Sequence, residues 1–183
     1  NMLRTYGKRA AVFTLLGDLL KTALAIFIAG VIGGFGYIGG IAVGFTQIIP
    51  MVYIAALFAV LGHIFPIYYK FKGGKGVLCT AVAALILNPI EFAILIAIWI
   101  GMVMLTKYVS LASVTVAVLY PVVVHGHFSI AFGGQEHGIV ALVTILLAII
   151  IVYCHRENLK RIGEGTERKI SVGKPPKKGD DEK

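Results

Sequence analysis

The densest run of reactive groups is Gly62-His63-Ile64-Phe65-Pro66-Ile67-Tyr68-Tyr69-Lys70-Phe71-Lys72-Gly73-Gly74-Lys75-Gly76. The closely spaced Gly73, Gly74 and Gly76 allow successive backbone N–H groups to turn inward as a nest for an anion. Lys72 and Lys75 add positive charge. An apolar helix starting after Gly76 would aim its positive dipole end at the same point. Together these features read as a phosphate site, though not the nucleotide type, which needs Gly-x4-Gly-Lys-Ser/Thr. A basic loop touching anionic lipid headgroups explains the composition equally well. Phe65, Tyr68, Tyr69 and Phe71 suit either reading, because aromatic rings favour the membrane interface.

A second constellation is Cys154-His155-Arg156-Glu157-Asn158-Leu159-Lys160-Arg161. His155 and Asn158 are three apart and share a helix face. The imidazole can exchange protons near neutral pH, and the amide can hold a hydroxyl. A solvated helix end with basic anchors is the plainer alternative. In Thr106-Lys107-Tyr108-Val109-Ser110-Leu111-Ala112-Ser113, at least one of the two serines is expected to cap a helix; either could contact a ligand. Asp18 and Lys21 lie inside an apolar stretch, where ions face a partner or a cavity. They read as a mutual pair or as support for a site. His125, His127, Glu136 and His137 fall in an expected outer loop, but without zinc-type spacing. No metal is expected, and Cys79 and Cys154 read as buried thiols rather than a bridge.

The elements that must position these groups are membrane helices. Of 183 residues, 58% are hydrophobic and 14% charged, and the mean hydropathy is +0.88. That excludes an ordinary soluble domain, with about 25% charged residues, a disordered chain and a disulfide scaffold. Apolar runs of spanning length predict helices over 10–30, 46–62, 108–124 and 138–154, and two short helices within 76–105, the first at 76–87. The glycine-rich stretch 31–45 and Asn88-Pro89 are expected turns. The 76–87 helix is short for a crossing, implying a deep start, local bilayer thinning or partial re-entry. All Lys and Arg residues except Lys21 fall in alternate connections, so the basic ends and the 63–75 loop are expected on the cytosolic side. The net charge of +8 is therefore a topology signal, not a nucleic-acid footprint. Residues 1–170 read as one all-α, polytopic membrane domain, and 171–183 as a disordered cytosolic tail.

Five ordered motifs now stand together: Gly62-His63-x-Phe65-Pro66, Phe71-Lys72-Gly73-Gly74-Lys75-Gly76-Val77, Tyr108-Val109-Ser110-Leu111-Ala112-Ser113, His155-Arg156-x-Asn158 and Gly165-Thr166-Glu167-x-Lys169. With Asn1-x-x-Arg4 and Asp18-x-x-Lys21, the chain resembles the bacterial acyl-phosphate-dependent glycerol-3-phosphate acyltransferase family over nearly its whole length. The resemblance implies a seven-helix membrane protein of which six helices are present, the first lying upstream of Asn1. It implies acyl transfer from acyl phosphate to glycerol-3-phosphate at the cytoplasmic membrane, as a monomer, without cofactor or nucleic acid. His155, Asn158, Lys75 and Arg4 would be catalytic, with Arg4 and Lys75 on phosphate groups. Lys72, Gly73, Gly74, Gly76, Ser110 and Ser113 would bind substrate, and Glu167, Asp18 and Lys21 would be structural, Glu167 tying the tail to the basic loops. The hydroxyl would attack the acyl carbon directly, with a substrate phosphate preferred over His155 as proton acceptor. Leu78-Cys79 replaces the family's usual Ala-Thr. The His-x4-Asp pair of soluble-type glycerolipid acyltransferases is absent, since Tyr68 and Lys160 stand at those positions. A transporter or channel for a small phosphorylated anion is the competing class.

Overall fold

The computed structural model describes residues 7–34, 37–38, 41–42, 45–131, 133 and 138–170. Arg4, Glu136, His137 and the 171–183 tail lie outside them. The architecture is a helical bundle: α1 (Gly7–Gly34), α2 (Phe45–Ile64), α3 (Val77–Leu87), α4 (Pro89–Thr106), α5 (Val109–Ala131), α6 (Gly138–Cys154) and a short α7 (Arg156–Gly163). Between α1 and α2, a minimal antiparallel ribbon pairs β1 (Tyr37–Ile38) with β2 (Ile41–Ala42).

Helices α1, α2, α4 and α5 are each long and apolar enough to cross a membrane, and α6 with α7 forms a fifth, bent candidate. α3 has only eleven residues, about 16 Å by helical rise. Each helix follows its apolar run, and Asn88 separates α3 from α4. Its Oδ1 accepts from the amides of Ile90 (3.0 Å) and Glu91 (3.4 Å), and Pro89, which has no N–H, opens α4. Val60, Cys79, Tyr120, Val124, Val140 and Leu147 form the buried core. Phe13, Leu20, Phe27, Phe58, Met104, Leu105 and Val122 point outward, as lipid-facing residues do.

Three expectations change. α5 continues to Ala131, so His125 and His127 are helical rather than in a loop. His127 Nδ1 instead lies 2.9 Å from Glu91 Oε1 and 2.5 Å from Asn88 Nδ2. The last helix does not run through His155: α7 leaves α6 at 53°, folding the polar residues across the bundle end. Neither Ser110 nor Ser113 caps α5. Ser110 donates to Glu167 and Ser113 to the Val109 carbonyl, while Thr106 Oγ1 accepts the Tyr108 amide at 3.2 Å.

Candidate active site

The glycine loop begins as a solution to the end of α2. The last carbonyls of a helix have no intrahelical donor. Here the Gly73 amide donates to Ile64 O at 3.0 Å and the Gly74 amide to His63 O at 3.2 Å. Such an approach requires glycine: a Cβ on Gly73 would lie 2.1 Å from His63 O, and one on Gly74 would lie 1.9 Å from His63 Nε2. The expected anion nest at Gly73 and Gly74 is therefore replaced by a backbone cap, because both amides are spent inward. Gly76 adopts φ 79° and forms the N-cap of α3 without a capping side chain. The first-turn amides of α3 consequently remain without intrahelical acceptors, beside Lys75.

Beneath the loop, Asp18 and Lys21 form the expected pair (2.5 Å), and His63 joins them. Its Nδ1 lies 2.9 Å from both Asp18 Oδ1 and Lys21 Nζ. Asp18, His63 and Cys79 bring three ligand-type atoms within 4.8 Å of one another, but the Lys21 ammonium already occupies the cation position. This cluster holds His63 under Gly74 and so sets where Lys75 begins.

Lys75, Asn158, Ser110, Arg161 and Glu167 converge from four segments. The Lys75 ammonium donates to Asn158 Oδ1. Asn158 Nδ2 donates to Glu167 Oε1 at 2.7 Å, Ser110 Oγ to the same oxygen at 2.8 Å, and Arg161 Nε to Oε2 at 2.8 Å. Glu167 thus ties the tail to α5 and α7, and reaches the basic loop only through Asn158 and Lys75. Burial pushes its carboxyl up, but the bonds from Asn158, Ser110 and Arg161, with the Arg161 charge, outweigh this and hold it at about 2. The Lys75 ammonium reaches inward, where partial burial lowers its pKa, Glu167 works against that, and Arg161 adds to it.

His155 is buried, and its Nδ1 lies 2.8 Å from Ile151 O. A carbonyl only accepts, so Nδ1 carries the proton and Nε2 keeps the lone pair.

These groups stand at one end of a cavity of about 1040 Å³ framed by α3, α4 and α5. Lys75, Ser110, Ser113, His155, Asn158 and Glu167 line its polar end; Ala84, Phe92, Leu95, Trp99, Ala117 and Tyr120 line the rest. Lys72, Gly73, Gly74 and Gly76 are not part of the lining. The loop glycines shape the site from outside it.

Residues 1–165 match the family described as glycerol-3-phosphate acyltransferase. The glycerol-3-phosphate acyltransferase of Syntrophomonas wolfei is 40% identical over 171 residues, spanning 93% of this chain and 77% of that protein. That of Clostridioides difficile is 38% identical over 174 residues, 95% and 78% of the two chains. The chain belongs to the glycerol-3-phosphate acyltransferase family. Crystal structures of the family member PlsY, an integral membrane enzyme, share the fold at 27% identity and a TM-score of 0.71. The lysophosphatidic acid form is matched over 93% of this chain and 78% of that one, and the glycerol 3-phosphate form over 93% and 76%.

As a glycerol-3-phosphate acyltransferase the chain is an enzyme, and the transporter alternative falls. Sequence reasoning passed over several groups that this acyltransferase places in the cavity wall. Thr80 Oγ1 is buried without a hydrogen-bond partner in the lining; the helical spacing Val77, Thr80, Ala81, Ala84 was the available signal. Trp99 donates to Ser113 Oγ at 3.3 Å. Arg161 and Arg168 also line the polar end.

Proposed function

We propose that this chain transfers the acyl group of an acyl phosphate to the 1-hydroxyl of sn-glycerol-3-phosphate, yielding 1-acyl-glycerol-3-phosphate and inorganic phosphate. The observation that carries this reading is the division of one cavity into a cationic, hydrogen-bonding end and an apolar trough, the shape of an amphiphile with an anionic head. Lys75, Arg161 and Arg168 line the polar end, and the positive-inside rule assigns the segments that carry them, with Lys70, Lys72, Lys107, Arg156 and Lys160, to the cytosolic face of the cytoplasmic membrane.

Acyl phosphate is a mixed anhydride and arrives activated. The reaction needs the hydroxyl oxygen aligned on the acyl carbon, which supplies roughly 7–11 kcal/mol of the barrier. As the new C–O bond forms, the bond from the acyl carbon to the phosphate oxygen breaks. Charge grows on the departing phosphate, where Lys75 and the α3 amides stand ready. The hydroxyl proton passes to Nε2 of His155 and then to the released phosphate. His155 is the first acceptor in this reading because its Nδ1 is held by Ile151 O, which leaves the Nε2 lone pair for the hydroxyl in a side chain that lines the cavity. Arg4, from its motif, would bind a substrate phosphate.

Phosphate release by the protein in lipid nanodiscs, supplied with acyl phosphate and glycerol-3-phosphate, tests this. His155→Ala is expected to lower kcat by about 10²–10⁴ at saturating glycerol-3-phosphate, with KM changed less than threefold. Near-normal kcat with a raised KM would return the proton to a substrate phosphate.

A further inference from the structure

The apolar trough has a floor. Along α5, Ser110, Ser113, Val116, Ala117 and Tyr120 descend one wall. Ser110 and Tyr120 are ten residues apart, about 15 Å of helical rise, which matches an extended chain of roughly 12 carbons. Phe92 of α4 and Ala84 of α3 are the lining residues farthest along their helices from the polar end; Tyr120 and Ala84 are each 2% exposed. Below them the wall turns polar. Glu91, beside Phe92, is fully buried, and its Oε1 lies against His127 Nδ1. Its Oε2 has no hydrogen-bond partner. A methyl terminus entering this layer would displace a buried polar group without replacing any bond, which is unfavourable.

We propose that Tyr120, Phe92 and Ala84, backed by the buried Glu91–His127–Asn88 cluster, end the trough and set how much of the acyl chain the enzyme buries. Ala84 is the adjustable element. It carries the smallest side chain at the floor, and a larger one there shortens the trough from below without touching Lys75, His155 or Asn158. Each added methylene improves the donor until the chain meets the floor at about 12 carbons; further carbons must turn aside and add nothing. The inference rests on the acyl-transfer reading, and its test has a branch independent of the donor.

The series is acyl phosphates of 8 to 18 carbons, read as kcat/KM. The wild-type curve is expected to rise about fourfold per carbon and flatten near 12. Ala84→Leu moves the plateau down by two to four carbons and keeps the rise per carbon below it. Phe92→Ala moves it up. Should Ala84→Leu fail to fold, Phe92→Ala decides. Both curves keeping the wild-type plateau, or falling equally for every length, overturns the proposal. The same length series of 1-acyl-glycerol-3-phosphates, read as the rise in unfolding temperature, decides it even if no acyl phosphate is turned over. Increments that stop at the same carbon number and shift in the variants support the floor; increments that climb through 18 carbons refute it.

Discussion

Replacing Gly74 with alanine should fail for a reason located in His63, and the two positions can be tested as a pair. The new Cβ would lie 1.9 Å from His63 Nε2, 2.6 Å from Cε1 and 2.9 Å from Cδ2, so the ring has to move. It is not free to do so, because Nδ1 sits 2.9 Å from both Asp18 Oδ1 and Lys21 Nζ. Moving the ring gives up a hydrogen bond to a charged group, about 1.5–3 kcal/mol, and loosens the Gly74 amide bond to His63 O, about 0.5–1.5 kcal/mol. The expected loss is about 2–4.5 kcal/mol. His63→Ala alone loses the same charged contact, while Asp18 keeps Lys21. With the ring absent, Gly74→Ala should cost under about 1 kcal/mol, the scale of one backbone hydrogen bond. The double variant should therefore be about 2 kcal/mol more stable than the two single losses summed. Unfolding of the four proteins in mixed micelles measures the cycle. Additivity within about 0.5 kcal/mol would show that Gly74 does not matter through His63, and the account of the loop would be wrong.

Lys75→Met should lower kcat/KM for acyl phosphate by roughly 10²-fold, the scale of one charge-assisted contact to phosphate, in steady-state phosphate release; unchanged kinetics would remove Lys75 from the site. Glu167→Gln keeps one acceptor oxygen but loses the charge facing Arg161, and should raise the KM for glycerol-3-phosphate about tenfold, the effect of one charge-assisted hydrogen bond. The carboxyl of Glu167 titrates at about 2 in the folded protein, below the ordinary value of about 4.3. Its stabilisation is complete above about 4.3 and disappears as pH falls through 2. Thermal unfolding should then show wild type losing more stability than Glu167→Gln between pH 5 and 2; parallel curves would refute the clasp.

The helices were legible because lipid demands long apolar runs, and the alternation of Lys and Arg could be read without any structure. Lys75, His155 and Asn158 stood out by residue type and spacing. The amide directions of Gly73 and Gly74 did not, because they are decided by the unpaired carbonyls of His63 and Ile64, about ten positions earlier. The break at His155 was hidden because Ile151–Val152–Tyr153–Cys154 runs on into residues compatible with a continuing helix. At the bend the His155 amide is shared between Ile151 O and Val152 O at 3.1 and 3.0 Å. Thr80, Trp99 and Tyr120 carry no motif; they matter because three helices bring them to one cavity. Ser110 looked like a cap, but it gives its hydroxyl to Glu167, 57 positions away, a partner no local rule supplies.

The clasp has a consequence for how the protein is made. Asn158 bonds a lysine 83 positions earlier, and Glu167 closes on Ser110 from the far end of the chain. Chains emerge from the ribosome N-terminal end first, at about 5–20 residues per second. The lipid-facing helices and the His63 anchor can therefore assemble while the last turns are still unsynthesised. The polar chamber cannot, and translation that stalls before Glu167 leaves Ser110, Asn158 and Arg161 without the carboxylate that joins them.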